Sequence, residues 1–262
     1  MPLMDHLGEL RRRLTIIIVS LFTTAVVLYF ATPTLIEFLL APVQDYIPSG
    51  LYLMTPLGGF SIRFRVAIFV AFCVCSPIVL WEILAFFLPA LKPNERRWVL
   101  PTLGVGVALF VLGIVFCYNF ILGPAFGWMT NESDAIGSVW PDAESYLKAI
   151  MGLMIAFGCA FELPVVVFYI IVFGLVPYKT FRKNWRTVYV VMLVFSAIVT
   201  PDANPITMFF LFAALIALYE ISLVVARIVL AKRIEKQKAE GTWVEPEEEE
   251  DDDEDEDEEE DR

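Results

Sequence analysis

Apolar residues in this chain come in blocks of about 14–32 residues, separated by short polar segments. Six blocks are long enough to read as membrane-crossing helices: about Leu14–Ala31, Ile62–Leu88, Trp98–Leu122, Ser145–Val176, Thr187–Thr200 and Ile206–Ala226. The fifth is short. About 14 residues at 1.5 Å each reach roughly 21 Å, against a hydrocarbon core of about 30 Å. The sixth has a similar uninterrupted stretch before Glu220. A pair this short has to thin the bilayer or shelter behind other helices. Pro77 and Pro164 fall inside spans two and four and predict kinks there.

The connecting segments differ in kind. Residues 32–61 hold Pro33, Pro42, Pro48, Pro56 and several glycines, but enough apolar residues to predict an ordered loop or short interfacial helices. Residues 123–144 read as a polar loop. The stretch Ala85–Arg97 is a basic hinge, punctuated by Pro89 and Pro93, with Glu95 among Lys92, Arg96 and Arg97. The fold class is therefore all-α: a polytopic membrane protein with six transmembrane helices, the last two short. The expected organisation is a cytoplasmic amphipathic segment at 1–13, a six-helix domain at 14–230, and a linker with a disordered acidic tail at 231–262.

Composition agrees. The chain is 58% hydrophobic, above the usual 45–50% or so of soluble domains, and its mean hydropathy is +0.68. The formal charge of −12 misleads, because the tail Glu245–Asp261 holds 16 of the 31 carboxylates. Setting aside that tail and Arg262 leaves 18 cations against 15 carboxylates, a mildly basic body. The clusters Arg11–Arg13, Lys92–Arg97, Lys179–Arg186 and Arg227–Lys238 fall at alternate ends of the six spans. The positive-inside rule then places both termini and the Ala85–Arg97 hinge in the cytoplasm. The opening, three arginines before an apolar run, imitates a secretory signal, but the run is too long for one and is read as a retained first span.

Several chemistries fall away. His6 is the only histidine, so there is no HExxH zinc site and no Ser/His pair buried in the membrane. No phosphate loop occurs, and the four cysteines lie inside apolar runs, Cys73 and Cys75 two apart, without a CxxC. No metal, cofactor, catalytic residue or nucleic-acid partner is expected.

Three carboxylates carry the interest. Glu9 lies four residues before Arg13, so an intrahelical ion pair accounts for it. Asn94 and Pro93 make Glu95 a suitable first-turn residue of span three. Alternatively, both carboxylates receive cations at the membrane edge, and arginine is the natural guest because its planar fork matches a carboxylate. Glu162 lies deep in span four, where a carboxylate costs about 2.5–3.5 kcal/mol on insertion scales. It either protonates in place or meets a polar cavity or another helix. Glu220 and Arg227, seven apart on one face, suggest local pairing.

The run His6-Leu7-x-Glu9-Leu10-Arg11-x-Arg13 resembles the opening of the TatC family, the core of the Sec-independent twin-arginine translocase. The order Pro42, Pro77, Ala85-Phe86, Pro89-Ala90-Leu91, Glu95-Arg96-Arg97, Tyr118, Phe161-Glu162-x-Pro164 and Thr200-Pro201-Asp202 is similar to the same family. Departures are Glu82 where many relatives carry Gln, Leu84 where many carry Trp, and Thr207 near a frequent Gln. The long acidic tail is not a general feature of the family. The resemblance implies a cup-shaped, non-enzymatic protein of the cytoplasmic (inner) membrane. It implies that Glu9 and Glu95 bind the twin-arginine signal peptide of folded precursors, with Leu7, Leu10, Arg11, Phe86, Leu91 and Arg96 completing the cytoplasmic patch. Glu162, Pro164 and Thr207 would contact single-span TatA/TatB-type subunits, and Pro42, Pro77 and Pro89 would shape the backbone. Transport would draw on the proton gradient, within a complex holding several copies of this chain. A proton-coupled small-solute transporter, motivated by Glu162, and a structural membrane scaffold remain as alternatives.

Overall fold

The computed structural model describes residues 3–47, 50–87, 99–134, 137, 140–172, 178–200 and 204–239. The first span is α1 (Leu3–Tyr29). Thr32-Pro33 closes it and starts α2 (Thr32–Leu40), with proline in the first turn, where its missing N–H is not needed. A 3₁₀ turn, Ala41–Tyr46, continues from Pro42. The loop expected at 32–61 is thus largely short helices.

The second span is α3 (Gly58–Phe87), unbroken at Pro77. Proline leaves the carbonyl four residues earlier, Cys73 O, without its helical donor. Ser76 Oγ donates to that carbonyl at 2.8 Å. A side chain has replaced the lost backbone bond, so the helix runs on through the apolar layer.

The third span is longer than its apolar block. α4 (Val99–Phe116) passes through a π-helical turn, Cys117–Ile121, into α5 (Leu122–Asp134). The polar loop expected to start at 123 is helical as far as 134. Hydroxyls of Thr130 and Ser133 bond back to carbonyls one turn earlier, so the polar residues there do not end the helix. Tyr118, within the π turn, stacks on Phe38 at 4.7 Å and donates its hydroxyl to Phe38 O at 2.7 Å. These contacts tie span three to α2.

The fourth span is two helices, α6 (Ala143–Ala160) and α7 (Leu163–Val172), broken at Phe161-Glu162. Pro164 cannot donate to Ala160 O, and the break falls in the turn before it. Asp142 caps α6 by accepting from Ser145 N at 3.0 Å and Ser145 Oγ at 2.8 Å, which lowers its carboxyl below the ordinary carboxylate range. Tyr52 N donates to Pro141 O and Ala143 N to Tyr52 O, each at 2.9 Å, so the chain before α3 is laced to the start of α6.

The basic connector carries α8 (Tyr178–Lys183), followed by the fifth span, α9 (Trp185–Val199), of 15 residues. That length spans about 22 Å, short of the hydrocarbon core as expected. The sixth, α10 (Pro205–Ala239), does not stop near Glu220; its apolar part alone runs to Val229. The linker expected from 231 is therefore helical as far as 239. The acidic tail, the turn 201–203, and the hinge residues 88–98 with Pro89, Leu91, Glu95 and Arg96 lie outside the described residues.

The helices pack in pairs: α1 on α3, α4 on α6 and α3, and α10 on α7 and α9. The largest buried side chains come from the 3₁₀ turn, α5, α6 and α10, including Val43, Phe126, Leu147, Phe157 and Leu215. α1 faces outward over most of its length, with Phe22, Val27 and Phe30 exposed as lipid-facing residues are.

The α4–α6 crossing is set by Gly113. A Cβ there would stand 2.7 Å from Phe157 O and 2.9 Å from the Phe161 ring, so only glycine lets the two backbones meet. We expect Gly113→Ala to lower stability by about 1–3 kcal/mol despite alanine's better helix propensity, because backbone has to move. Thermal unfolding of the detergent-solubilised protein measures this, and an unchanged or raised midpoint would contradict the crossing.

A candidate arginine site and an intramembrane carboxylate

Glu9 and Arg13 lie one turn apart on α1, so their side chains meet on one face. Arg13 Nη2 and Nε reach Glu9 Oε1 at 2.6 and 3.2 Å. The intrahelical pair read from the sequence is present, but it is only half of the arrangement. α1 and α3 run antiparallel, which brings the far end of α3 beside the start of α1. There Arg13 Nη1 meets Glu82 Oε2 at 3.0 Å. Glu82 is 8% exposed, one of the few buried charged groups described. One guanidinium is therefore forked between two carboxylates from different spans, the geometry that suits arginine and not lysine. Two carboxylates against one cation leave the cluster one negative charge.

The surrounding expected residues divide clearly. Leu10 and Arg11 are exposed on the turn around Glu9. Phe86 is half-buried one turn beyond Glu82. Leu7 belongs to α1, but its side chain lies outside the description, as do Leu91, Glu95 and Arg96 altogether. Glu82 was not singled out from the sequence as a site residue. Its signal was present, a carboxylate at the same membrane edge as Arg13, but only the α1–α3 pairing makes the two neighbours.

Glu162 stands at the break between α6 and α7. Its backbone N–H bonds to Cys159 O at 3.1 Å, and its carbonyl accepts from Val165 and Val166. The side chain turns into a cleft of about 300 Å³ between α3, α4 and α7, beside Ser76, Thr102, Phe110 and Tyr169. Oε1 is buried and meets no donor among the described residues. Gly106 makes the space: a Cβ there would lie 3.1 Å from Glu162 Oε2. Pro164 lines a neighbouring apolar groove with Thr102, Phe168 and Leu218. Thr207 is not in either place. It is fully buried in the first turn of α10, and its hydroxyl donates to Asn204 O at 2.9 Å.

Glu220 pairs differently from the sequence expectation. Arg182, not Arg227, holds it at 2.9 Å, and Tyr189 Oη donates to it at 2.8 Å. The pair joins α8, α9 and α10 and lets α10 run past an acidic residue. Among the described residues no group of histidines, cysteines and carboxylates is placed to hold a metal.

These features define an all-helical polytopic membrane protein with a guanidinium-binding edge and a lone carboxylate within the apolar layer. A family model for the Sec-independent protein translocase protein TatC matches residues 5–213. The chain belongs to the TatC family, a component of the Sec-independent protein translocase. It is 31% identical over 243 residues to the TatC protein of Deinococcus radiodurans, covering 90% of each chain. It is 28% identical to that of Escherichia coli K12, covering 94% of this chain and 96% of the other. Crystal structures described as the twin arginine translocase receptor TatC superpose with TM-scores of 0.71 and 0.72 at 27% identity, covering 85% and 84% of this chain.

The cluster yields a stability test. Arg13→Ala strands Glu82 beside apolar α1 and is expected to cost about 1–3 kcal/mol. Adding Glu82→Gln removes the stranded charge and should recover most of that loss. Thermal unfolding in detergent reads both; equal losses in the single and double variants would show that Glu82 does not depend on Arg13.

Proposed function

We propose that this chain is the subunit of its translocase that binds the twin-arginine signal peptide, and that Glu9 and Glu95 receive the two arginines. The observation that carries the reading is the guanidinium already held at Glu9 and Glu82. It supports the reading because an arginine of the chain itself is held there by two partly buried carboxylates. The exposed Leu10 and Arg11 and the half-buried Phe86 lie on the same edge and would contact the flanking peptide. Glu95, on the hinge that follows α3, supplies the second carboxylate.

The topology follows the positive-inside rule, with both termini and the binding edge in the cytoplasm and the protein in the cytoplasmic membrane. The N-terminal segment 1–13 is then the cytoplasmic face of the site, 14–230 the translocase domain, and 231–262 a cytoplasmic extension. Precursors arriving in the cytoplasm meet the site without crossing the bilayer.

Glu162 serves a second contact. An unsatisfied carboxylate oxygen in a cleft walled by apolar side chains is suited to a hydrogen-bond donor on a single-span TatA/TatB-type helix. Pro164 flanks that contact, and Thr207 acts there only by shaping the start of α10. Assembly of several copies with those partners would use the proton gradient to move folded cargo.

Glu9→Ala and Glu95→Ala are each expected to weaken cross-linking to a twin-arginine precursor by about tenfold or more, the loss of one charge-assisted hydrogen bond. A lysine-pair precursor should bind weakly to the unaltered protein. Binding that ignores both carboxylates would reject the site. In the same membranes, Glu162→Ala should reduce cross-links from the α6–α7 break to the single-span partners while precursor binding persists. Solute flux through liposomes holding this protein alone would instead favour a transporter.

A further inference from the structure

A groove of about 420 Å³ runs along the outward side of the α1–α3 pair. Ile18, Phe22, Val26 and Tyr29 of α1 and Phe64 and Ile68 of α3 line it. Phe22 and Val26 are 65% and 50% exposed, so the groove is open to whatever surrounds the bundle. From Ile18 to Tyr29 the helix rises about 16 Å, close to half of a hydrocarbon core of about 30 Å. The groove is therefore one leaflet deep.

A cation stands beside its Tyr29 end. The Arg63 guanidinium carbon lies 4.9 Å from the centroid of the Tyr29 ring. Its Nε donates to Thr32 Oγ1 at 2.9 Å. Thr32 is fully buried and donates its own hydroxyl to Tyr29 O at 2.7 Å, so the guanidinium is held from two sides. No carboxylate lies within ion-pairing distance of Arg63 among the described residues, whereas Arg65 nearby is neutralised by Glu144 at 2.8 Å. With Nε engaged by Thr32, the two terminal nitrogens remain for a ligand. A fixed cation above an apolar slot of leaflet depth is complementary to a molecule with one anionic oxygen pair and an attached hydrocarbon chain.

We propose that the α1–α3 groove is a phospholipid site, in which one acyl chain fills the groove and Arg63 grips the phosphodiester. The planar fork of arginine meets two phosphate oxygens at once, which a snorkelling lysine cannot do. The site lies at the end of α1 away from Glu9, so it belongs to the leaflet opposite the arginine-binding edge. α1 is attached to the bundle mainly through α3, and the lipid would act as a third wall behind it.

Native mass spectrometry of the full chain, purified in detergent and supplied with phosphatidylglycerol, tests this. One phosphatidylglycerol per chain should be retained, and diacylglycerol, which lacks the phosphate, should not. Arg63→Gln should lower retention by about tenfold. Val26→Trp, which fills the groove from an exposed position and leaves Arg63 in place, should lower it as well. Arg65→Gln should leave it unchanged. Retention that survives both Arg63→Gln and Val26→Trp would overturn the site. So would equal displacement of the lipid by glycerophosphate alone, which would make Arg63 a simple anion site, or a lipid-free dimer whose contact Val26→Trp abolishes. Should Arg63→Gln fail to fold, the Val26→Trp result decides.

Discussion

A charge at the edge of hydrocarbon is stable only when a counter-charge or a set of donors accompanies it, and that constraint orders the described bundle. Arg13 sits between Glu9 and Glu82, Arg65 on Glu144, and Arg182 on Glu220 with Tyr189 assisting. Except for Glu9–Arg13, each pair joins residues far apart in sequence. The pairs therefore pin spans to one another as well as neutralising charge. Glu162 is the departure, since one buried oxygen has no donor among the described residues. Glu82, Glu144 and Glu220 each have a cation, and the contrast with this open oxygen is what motivates the proposed partner contact at Glu162.

The same accounting applies to the backbone. Each proline removes a donor that the apolar layer cannot replace with water. At Pro77 the Ser76 hydroxyl takes over and α3 stays whole. At Pro164 no such hydroxyl precedes it, since the residues before are Phe161, Glu162 and Leu163, and the helix breaks instead. Glu162 falls in the turn between α6 and α7, and its side chain lines the cleft between α3, α4 and α7. The two prolines thus do opposite things for one local reason, the identity of the preceding residue.

Much of this was legible in the chain. Span positions follow from apolar block length, the Glu9–Arg13 pair from its spacing of four, and the fourth-span break from Pro164. The misjudged boundaries share a cause. Residues 123–134 and 231–239 read as loop and linker in the sequence, yet helix needs only local hydrogen bonds and tolerates a polar face where a span leaves the membrane. The Glu220 partner was misread because spacing of seven on one helix is visible in a sequence, whereas Arg182 becomes a neighbour only when α8 folds against α10. Glu82 was passed over for the same reason. Contacts within a helix can be counted from residue numbers; contacts between helices wait on which spans pair.

The Arg13 arrangement bears directly on how a site can be both filled and available. Two carboxylates brought together at a membrane edge repel each other unless a cation lies between them. Arg13 lies between the two and fixes their rotamers, at the cost of occupying Glu9 Oε1 and Glu82 Oε2. The two carboxylates outnumber the guanidinium, which is why the proposed site has room for a second cation. Glu9 is the more exposed carboxylate, at 26% of its side chain against 10% for Glu82. The division of labour in the proposed site follows from that difference: Glu82 anchors Arg13 and joins α1 to α3, while Glu9 is the more accessible of the two to the proposed peptide.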